Sequence, residues 1–131
     1  MAIIHAAAFP FERPWQADEF ANLLDHPLTF ALGDTRAFAL IRVVVDEAEL
    51  LTIATHPDHQ RQGLAQGLMQ HWHRQATQRG ATHAFLEVAA DNNAAINLYS
   101  QYGYRQRAKR PAYYPRPSGA VDALIMQAAL T

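Results

Sequence analysis

With 131 residues, 50% of them apolar or aromatic, the chain is long enough for one domain with a proper core and too hydrophobic for intrinsic disorder. A net charge of −1 gives no overall basic surface for nucleic acid, and the absence of cysteine excludes disulfides, thiolate metal sites and a cysteine nucleophile. No run reaches the roughly 18 apolar residues of a membrane span. Residues 1–15 lack the basic leader and long apolar stretch of a secretion signal, so the expectation is a single cytoplasmic domain over residues 1–131.

Pro10 and Pro14 interrupt the start, after which Trp15, Phe20, Leu23 and Leu24 fall at the spacing of a short amphipathic helix over 15–26. Residues 28–33 and 37–46 read as strands joined at Gly33-Asp34, and 48–56 as a third β-rich run. Apolar positions Leu64, Leu68, Met69, Trp72 and Ala76 then predict a helix that stops at Gly80. Residues 82–90 form a buried strand, and 91–103 a helix with a polar N-cap and Gly103 as its stop. Two last strands follow, over 104–110 and 121–130, with "PAYYPRPSGA" (111–120) as the loop between them. "RQRAKR" (105–110) reads as a strand with one solvated face before it reads as an RNA site. The strand–helix–strand unit over 48–90 requires a right-handed parallel crossover, while the other strands can pair antiparallel. The expected class is α/β, a mixed sheet with helices on both faces.

One stretch, "HPDHQRQGLAQGLMQHW" (56–72), puts Gly63 and Gly67 at the start of a helix, where glycine costs stability. The free N–H groups and positive dipole end of a helix favour an anion, and glycine lets a ligand approach the backbone. Two readings fit residues 61–66: a phosphate or pyrophosphate cradle, or a plain turn and helix start. There is no Gly-Lys-Ser/Thr of a nucleotide-phosphate loop and no Gly-x-Gly-x-x-Gly of a dinucleotide site, which leaves a pyrophosphate carried by something else. The seven histidines include His56 and His59 in one loop and His71 and His73 on different helix faces, and no metal pattern emerges. The two serines, Ser100 and Ser118, sit in no nucleophile elbow, so covalent catalysis has poor support.

"LLTIATHPDHQRQGLAQGLM" resembles the acetyl-CoA-binding segment of the GCN5-related N-acetyltransferase (GNAT) superfamily, Arg/Gln-x-x-Gly-x-Gly/Ala after a bulged strand, and "LEVAADNNAAINLYSQYGY" resembles its second conserved segment. Within that superfamily, "PWQADEF", "VDEAELLTIATHPDHQRQGLA", "LEVAADNNAAINLY" and "YYPRPSGAVDALIM" resemble the bacterial ribosomal-protein-alanine N-acetyltransferases, the RimI group; the likeness spans most of residues 14–127. The resemblance implies a GNAT-like, mostly antiparallel sheet around a parallel strand–helix–strand core that binds acetyl-CoA. It implies the cofactor pyrophosphate on the backbone N–H groups of Arg61, Gln62, Gly63, Leu64, Ala65 and Gln66, and the pantetheine arm along Ile53, Ala54 and Thr55.

The same resemblance implies Glu87 as general base, directly or through water, and Tyr99, twelve residues later, as general acid to the departing thiolate. By residue type alone, Glu87 also reads as a strand-end carboxylate facing solvent or an arginine, and Tyr99 as a packing aromatic. Asn92 reads as a further cofactor contact, as an N-cap, or as both. The implied reaction is direct attack by an amine in a ternary complex with no metal. The implied acceptor is the N-terminal alanine of a small-subunit ribosomal protein, with "PAYYPRPSGA" as one wall of the peptide cleft. An α-amine, with pKa about 7.7–8 against about 10.4 for lysine, is the easier one to deprotonate near neutral pH. Rival readings are an enzyme acting on another protein or a small-metabolite amine, and a non-catalytic acetyl-CoA-binding module, against which the presence of both Glu87 and Tyr99 argues. Two departures bear on substrate fit: the N-terminal part is shorter than in the family, and "AAD" follows "LEV" where an arginine-containing segment is common.

Overall fold

The computed structural model describes residues 1–3, 16–60 and 62–130; the expectations for Pro10, Pro14, Trp15 and Arg61 lie outside the described residues. Helix α1 (Ala17–Leu24) starts at Gln16, whose N–H donates to the Glu19 carboxylate at 3.3 Å. Strands β1 (Thr29–Gly33), β2 (Ala37–Val44) and β3 (Glu47–Thr55) form an antiparallel meander. At its first turn Gly33 has φ +127°, and a Cβ there would meet Ala37 O at 2.2 Å, so only glycine fits. The second turn is the two residues Val45 and Asp46, with Val45 at φ 57°. A strand reaching 46 was expected, because no glycine or proline marks this reversal.

A 3₁₀ turn (Pro57–His59) leads into α2 (Leu64–Gln78), followed by β4 (His83–Ala89), α3 (Asn93–Gln101), β5 (Arg105–Tyr114) and β6 (Val121–Ala129). Among the described residues six strands make one sheet in the order β1-β2-β3-β4-β6-β5, and β3–β4 is the one parallel pair there. The class is therefore mixed α/β, mostly antiparallel, as expected. Helices cover both faces. On one, Phe20 of α1 meets Phe38 edge-to-face at 5.5 Å beside Leu40 and Ala54. On the other, Met69, Trp72 and Ala76 of α2 and Tyr99 of α3 pack on Leu50, Leu86, Val88 and Met126. Among the described residues no helix is long and apolar enough to cross a membrane.

Two expectations about the last strands need correcting. β5 runs through Pro111, Ala112 and Tyr113 to Tyr114, so only 115–120 remain as the turn. Proline is tolerated there because β5 is an edge strand, with no ladder to complete on its outer side. Both faces of β5 are solvated rather than one: Arg105 to Tyr113 are all exposed, since no described helix packs on that edge.

The feature that shapes the site lies in the middle of the sheet. Pairing of β2 with β3 jumps from Leu40–Thr52 to Ile41–Leu50, leaving Leu51 as the extra residue of a β-bulge. The bulge reverses the side-chain alternation. Leu50 and Ile53 face the α2 side, whereas Leu51 and Ala54 face α1. At the same level the parallel pairing stops. β3 and β4 are joined only from Glu47–His83 to Leu50–Leu86. Beyond that point β3 stays with β2 and β4 stays with β6, so the two halves of the sheet part.

His73, half-buried on α2, sits between the rings of Trp72 and Tyr104 and shares a 2.9 Å hydrogen bond between its Nε2 and Tyr104 Oη. Burial lowers its pKa from 6.5 to about 4. The native state therefore resists a proton that the unfolded chain accepts below its ordinary value, so this contribution to stability is complete above pH 6.5 and lost as pH falls toward 4. After allowance for the ring's partial exposure, the loss is on the order of 1–2 kcal/mol. Denaturant midpoints at pH 7 and pH 4.5 should show it, and His73→Gln should shrink the difference; an equal difference in both proteins would remove His73 from the account.

Candidate active site

The parting of β3 and β4 exposes backbone that a regular sheet would pair. His56 N–H donates to Arg36 O at 2.8 Å, toward β2. Strand alternation then turns the N–H groups of Ile53 and Thr55 the other way, toward the gap, and that of Ala54 toward β2. The Thr55 carbonyl points into the same gap and accepts from Gln60 Nε2 at 3.5 Å. Of the three residues expected along a bound chain, two thus present free donors. These arise because β4 leaves the pair; the bulge itself lies upstream at Leu51, not at 53–55.

From Thr55 the chain turns through His56, whose Nδ1 accepts the Asp58 N–H at 3.2 Å, and reaches Gly63 at the start of α2. Gly63 is the N-cap, in the left-handed region at φ 76°. The first helical bond runs from Gly67 N–H to Gly63 O at 3.1 Å, so the N–H groups of Leu64, Ala65 and Gln66 precede any acceptor in the helix. No acidic residue lies in the first turn to offset the positive end of the dipole. A Cβ on Gly63 would meet nothing nearer than Gln66 Oε1 at 4.0 Å, and one on Gly67 nothing within 4 Å. The space over this turn is open, Gln62, Gly63 and Gln66 are exposed, and the donors match a pyrophosphate. Tyr102 Oη donates to Gln66 O at 3.1 Å, which ties the C-terminal end of α3 to this first turn.

Glu87 is the first residue of β4 past the last pair with β3. Its neighbours Leu86 and Val88 point into the core under α2, so by alternation its side chain lies on the opposite face, 29% exposed. Arg110 Nε approaches Glu87 Oε2 at 3.8 Å, and Arg110 itself is 56% exposed over the Tyr113 ring. This is the arginine-paired strand-end glutamate anticipated from residue type, held loosely enough for a second cation to compete.

Tyr99 comes from the other side of the sheet. Its ring is 5% exposed and lies 5.9 Å from the Tyr104 ring. Its hydroxyl makes no hydrogen bond among the described residues. Burial first, and the Tyr114 phenol second, push the Tyr99 pKa well above the usual tyrosine value. The group stays a neutral donor across the working pH range. Asn92 Oδ1 accepts the Ala95 N–H at 3.2 Å and so caps α3, leaving its amide NH₂ for any ligand contact.

Sequence reasoning missed Gln60 and Arg110 around this site, the latter in a basic run read as solvated; Tyr114 and Arg116 lay in the segment read as a loop and as one wall of the peptide cleft, without being singled out. Among the described residues no group of three or more His, Asp or Glu is arranged to hold a metal ion.

The sequence profile of the acetyltransferase (GNAT) family matches residues 2–104. The [ribosomal protein bS18]-alanine N-acetyltransferase of Escherichia coli (strain K12) is 44% identical over 117 residues, which cover 86% of this chain and 79% of that protein. The crystal structure of the ribosomal-protein-S18-alanine N-acetyltransferase from Escherichia coli superposes with a TM-score of 0.88 at 36% identity, covering 99% of this chain and 85% of that one. Arabidopsis thaliana NAA60, solved in complex with acetyl-CoA, shares the fold at a TM-score of 0.80 and 16% identity, over 98% of this chain and 90% of that one.

Proposed function

The chain belongs to the acetyltransferase (GNAT) family and is an acetyl-CoA-dependent N-acetyltransferase, and from that premise we propose that its acceptor is the N-terminal alanine α-amine of a small-subunit ribosomal protein of the bS18 type. One N-acetyltransferase domain over residues 1–131, working in the cytoplasm, is part of the same reading. The observation that carries it is the parting of β3 and β4, with Glu87 the first residue of β4 beyond it and the N–H groups of Ile53 and Thr55 turned into the gap.

Bound acetyl-CoA supplies the acetyl thioester. In this reading the N–H groups of Leu64, Ala65 and Gln66, with those of Arg61, Gln62 and Gly63, hold its pyrophosphate. The N–H groups of Ile53 and Thr55 orient the arm and polarise the thioester carbonyl. Asn92 adds a contact through its free amide. Glu87, directly or through water, takes the proton of the attacking amine as Arg110 gives way, and Tyr99 gives its proton to the departing sulfur. The β5–β6 turn walls the acceptor. A carboxylate suffices for an α-amine of pKa about 7.7–8, and is poorly matched to a lysine near 10.4.

The test is thiol release from acetyl-CoA with an alanine-initiated peptide, a blocked lysine peptide and small amines. The alanine peptide should be the best acceptor by kcat/KM, and a higher value for a small amine would reject the ribosomal-protein reading. The cradle has its own test. Gly63→Val should weaken acetyl-CoA binding at least tenfold, about 1.4 kcal/mol, by placing a side chain in the open space over the turn and straining a left-handed φ. Calorimetry on the folded variant measures it, and unchanged affinity would reject the cradle at residues 61–66.

A further inference from the structure

The segment that walls the acceptor is gripped by a carboxylate at each end. At the strand end, three residues of β5, Pro111 to Tyr113, stand opposite Asp122 alone. Asp122 Oδ1 accepts the Ala112 N–H at 2.9 Å, with Ala112 at φ 49°. At the turn, Arg116 donates through Nε to Asp91 Oδ2 at 2.9 Å and through Nη2 to Asp91 Oδ1 at 3.2 Å. Its third nitrogen, Nη1, donates to Pro115 O at 2.8 Å. An exposed ion pair contributes little, but this one is a two-pronged fork and its arginine side chain is only 12% exposed.

Asp91 directly precedes Asn92, the N-cap of the helix that carries Tyr99. The Arg116 guanidinium also lies 5.8 Å over the Tyr114 ring, and Tyr114 and Tyr113 meet edge-to-face at 5.1 Å. A single side chain thus fastens the turn to the start of α3 and reaches the ring of Tyr114, against which Tyr113 packs. The electrostatic effect of the Tyr114 phenol on Tyr99 is consistent with that seating.

We propose that Arg116 is a positioning residue for the acceptor: its fork on Asp91 latches the 115–120 turn to the start of α3 and fixes the Tyr113–Tyr114 wall before the peptide arrives. The proposal rests on the acceptor reading above. Without the latch the turn must be ordered when the peptide binds, and that entropy enters the acceptor KM. Acetyl-CoA affinity, set at the start of α2, stays as it is.

The experiment uses the full chain with Arg116→Gln, Asp91→Asn and the double variant, each with an alanine-initiated peptide. Each single variant should raise the acceptor KM about tenfold while kcat moves less and the acetyl-CoA Kd by calorimetry is unchanged. The double variant should cost no more than Arg116→Gln alone, because the fork on Asp91 is lost once in all three. Arg116→Lys keeps the charge without the fork and should recover part of the loss. An unchanged KM in Arg116→Gln, additive single effects, or a joint loss of acetyl-CoA binding would overturn the latch while leaving the wild-type activity and the acceptor reading standing. A wild-type protein that modifies no peptide α-amine would reject the acceptor reading, and the latch with it.

Discussion

Glu87→Gln is expected to lower kcat/KM on an alanine-initiated peptide by roughly 10² at neutral pH. The amide keeps the size and hydrogen-bonding reach of the carboxylate and loses only its ability to take a proton. Its ion pair with Arg110 at 3.8 Å joins a partly exposed carboxylate to a half-exposed guanidinium, so removing it leaves stability nearly unchanged. The deficit should shrink as pH rises past about 8, where the free α-amine is abundant without a base. A blocked lysine peptide should stay a poor acceptor over the same range. The pH–rate profiles of both enzymes on both peptides decide the matter: superimposable profiles would remove Glu87 from the chemistry.

Tyr99→Phe should lower turnover by a similar factor, roughly 10², and leave acetyl-CoA affinity intact. The ring supplies the packing against Tyr104, and phenylalanine retains it. The hydroxyl makes no hydrogen bond among the described residues, so its loss should barely move the melting temperature. Because burial raises the Tyr99 pKa, the donor keeps its proton through the whole alkaline range of the assay. Any fall in rate below pH 10 therefore belongs to another group. Turnover equal to wild type would reduce Tyr99 to a packing residue.

The order of elements was legible because each carries its own periodicity and stops: Leu64, Leu68, Met69, Trp72 and Ala76 on α2, and Gly80 and Gly103 after the helices. The parallel unit was legible from strand–helix–strand spacing. What determines the site was not. The bulge at Leu51 is defined by pairing with β2, and "ELLTIAT" alternates no differently with or without it. The parting of the sheet depends on where β3 and β4 stop pairing, some 36 residues apart in the chain, a distance local patterns do not reach. Residues 111–114 were hidden by Pro111, which reads as a break until the strand is known to lie at an edge. Gly63 was legible as an unusual residue at a helix start, but its left-handed φ is a fact of the folded turn. Arg116 and Asp91 carry no local signal, since their 25-residue separation closes only in three dimensions.

Which nitrogen receives the acetyl group separates an α-amine acceptor from a lysine acceptor. A single peptide that begins with a free alanine and carries one internal lysine puts both amines in one assay. After incubation with acetyl-CoA, fragment masses locate the added acetyl group. The label is expected on the alanine α-amine with the lysine unmodified, and is expected to disappear when the N-terminus is blocked. Label on the lysine, undiminished by the block, would contradict the α-amine reading.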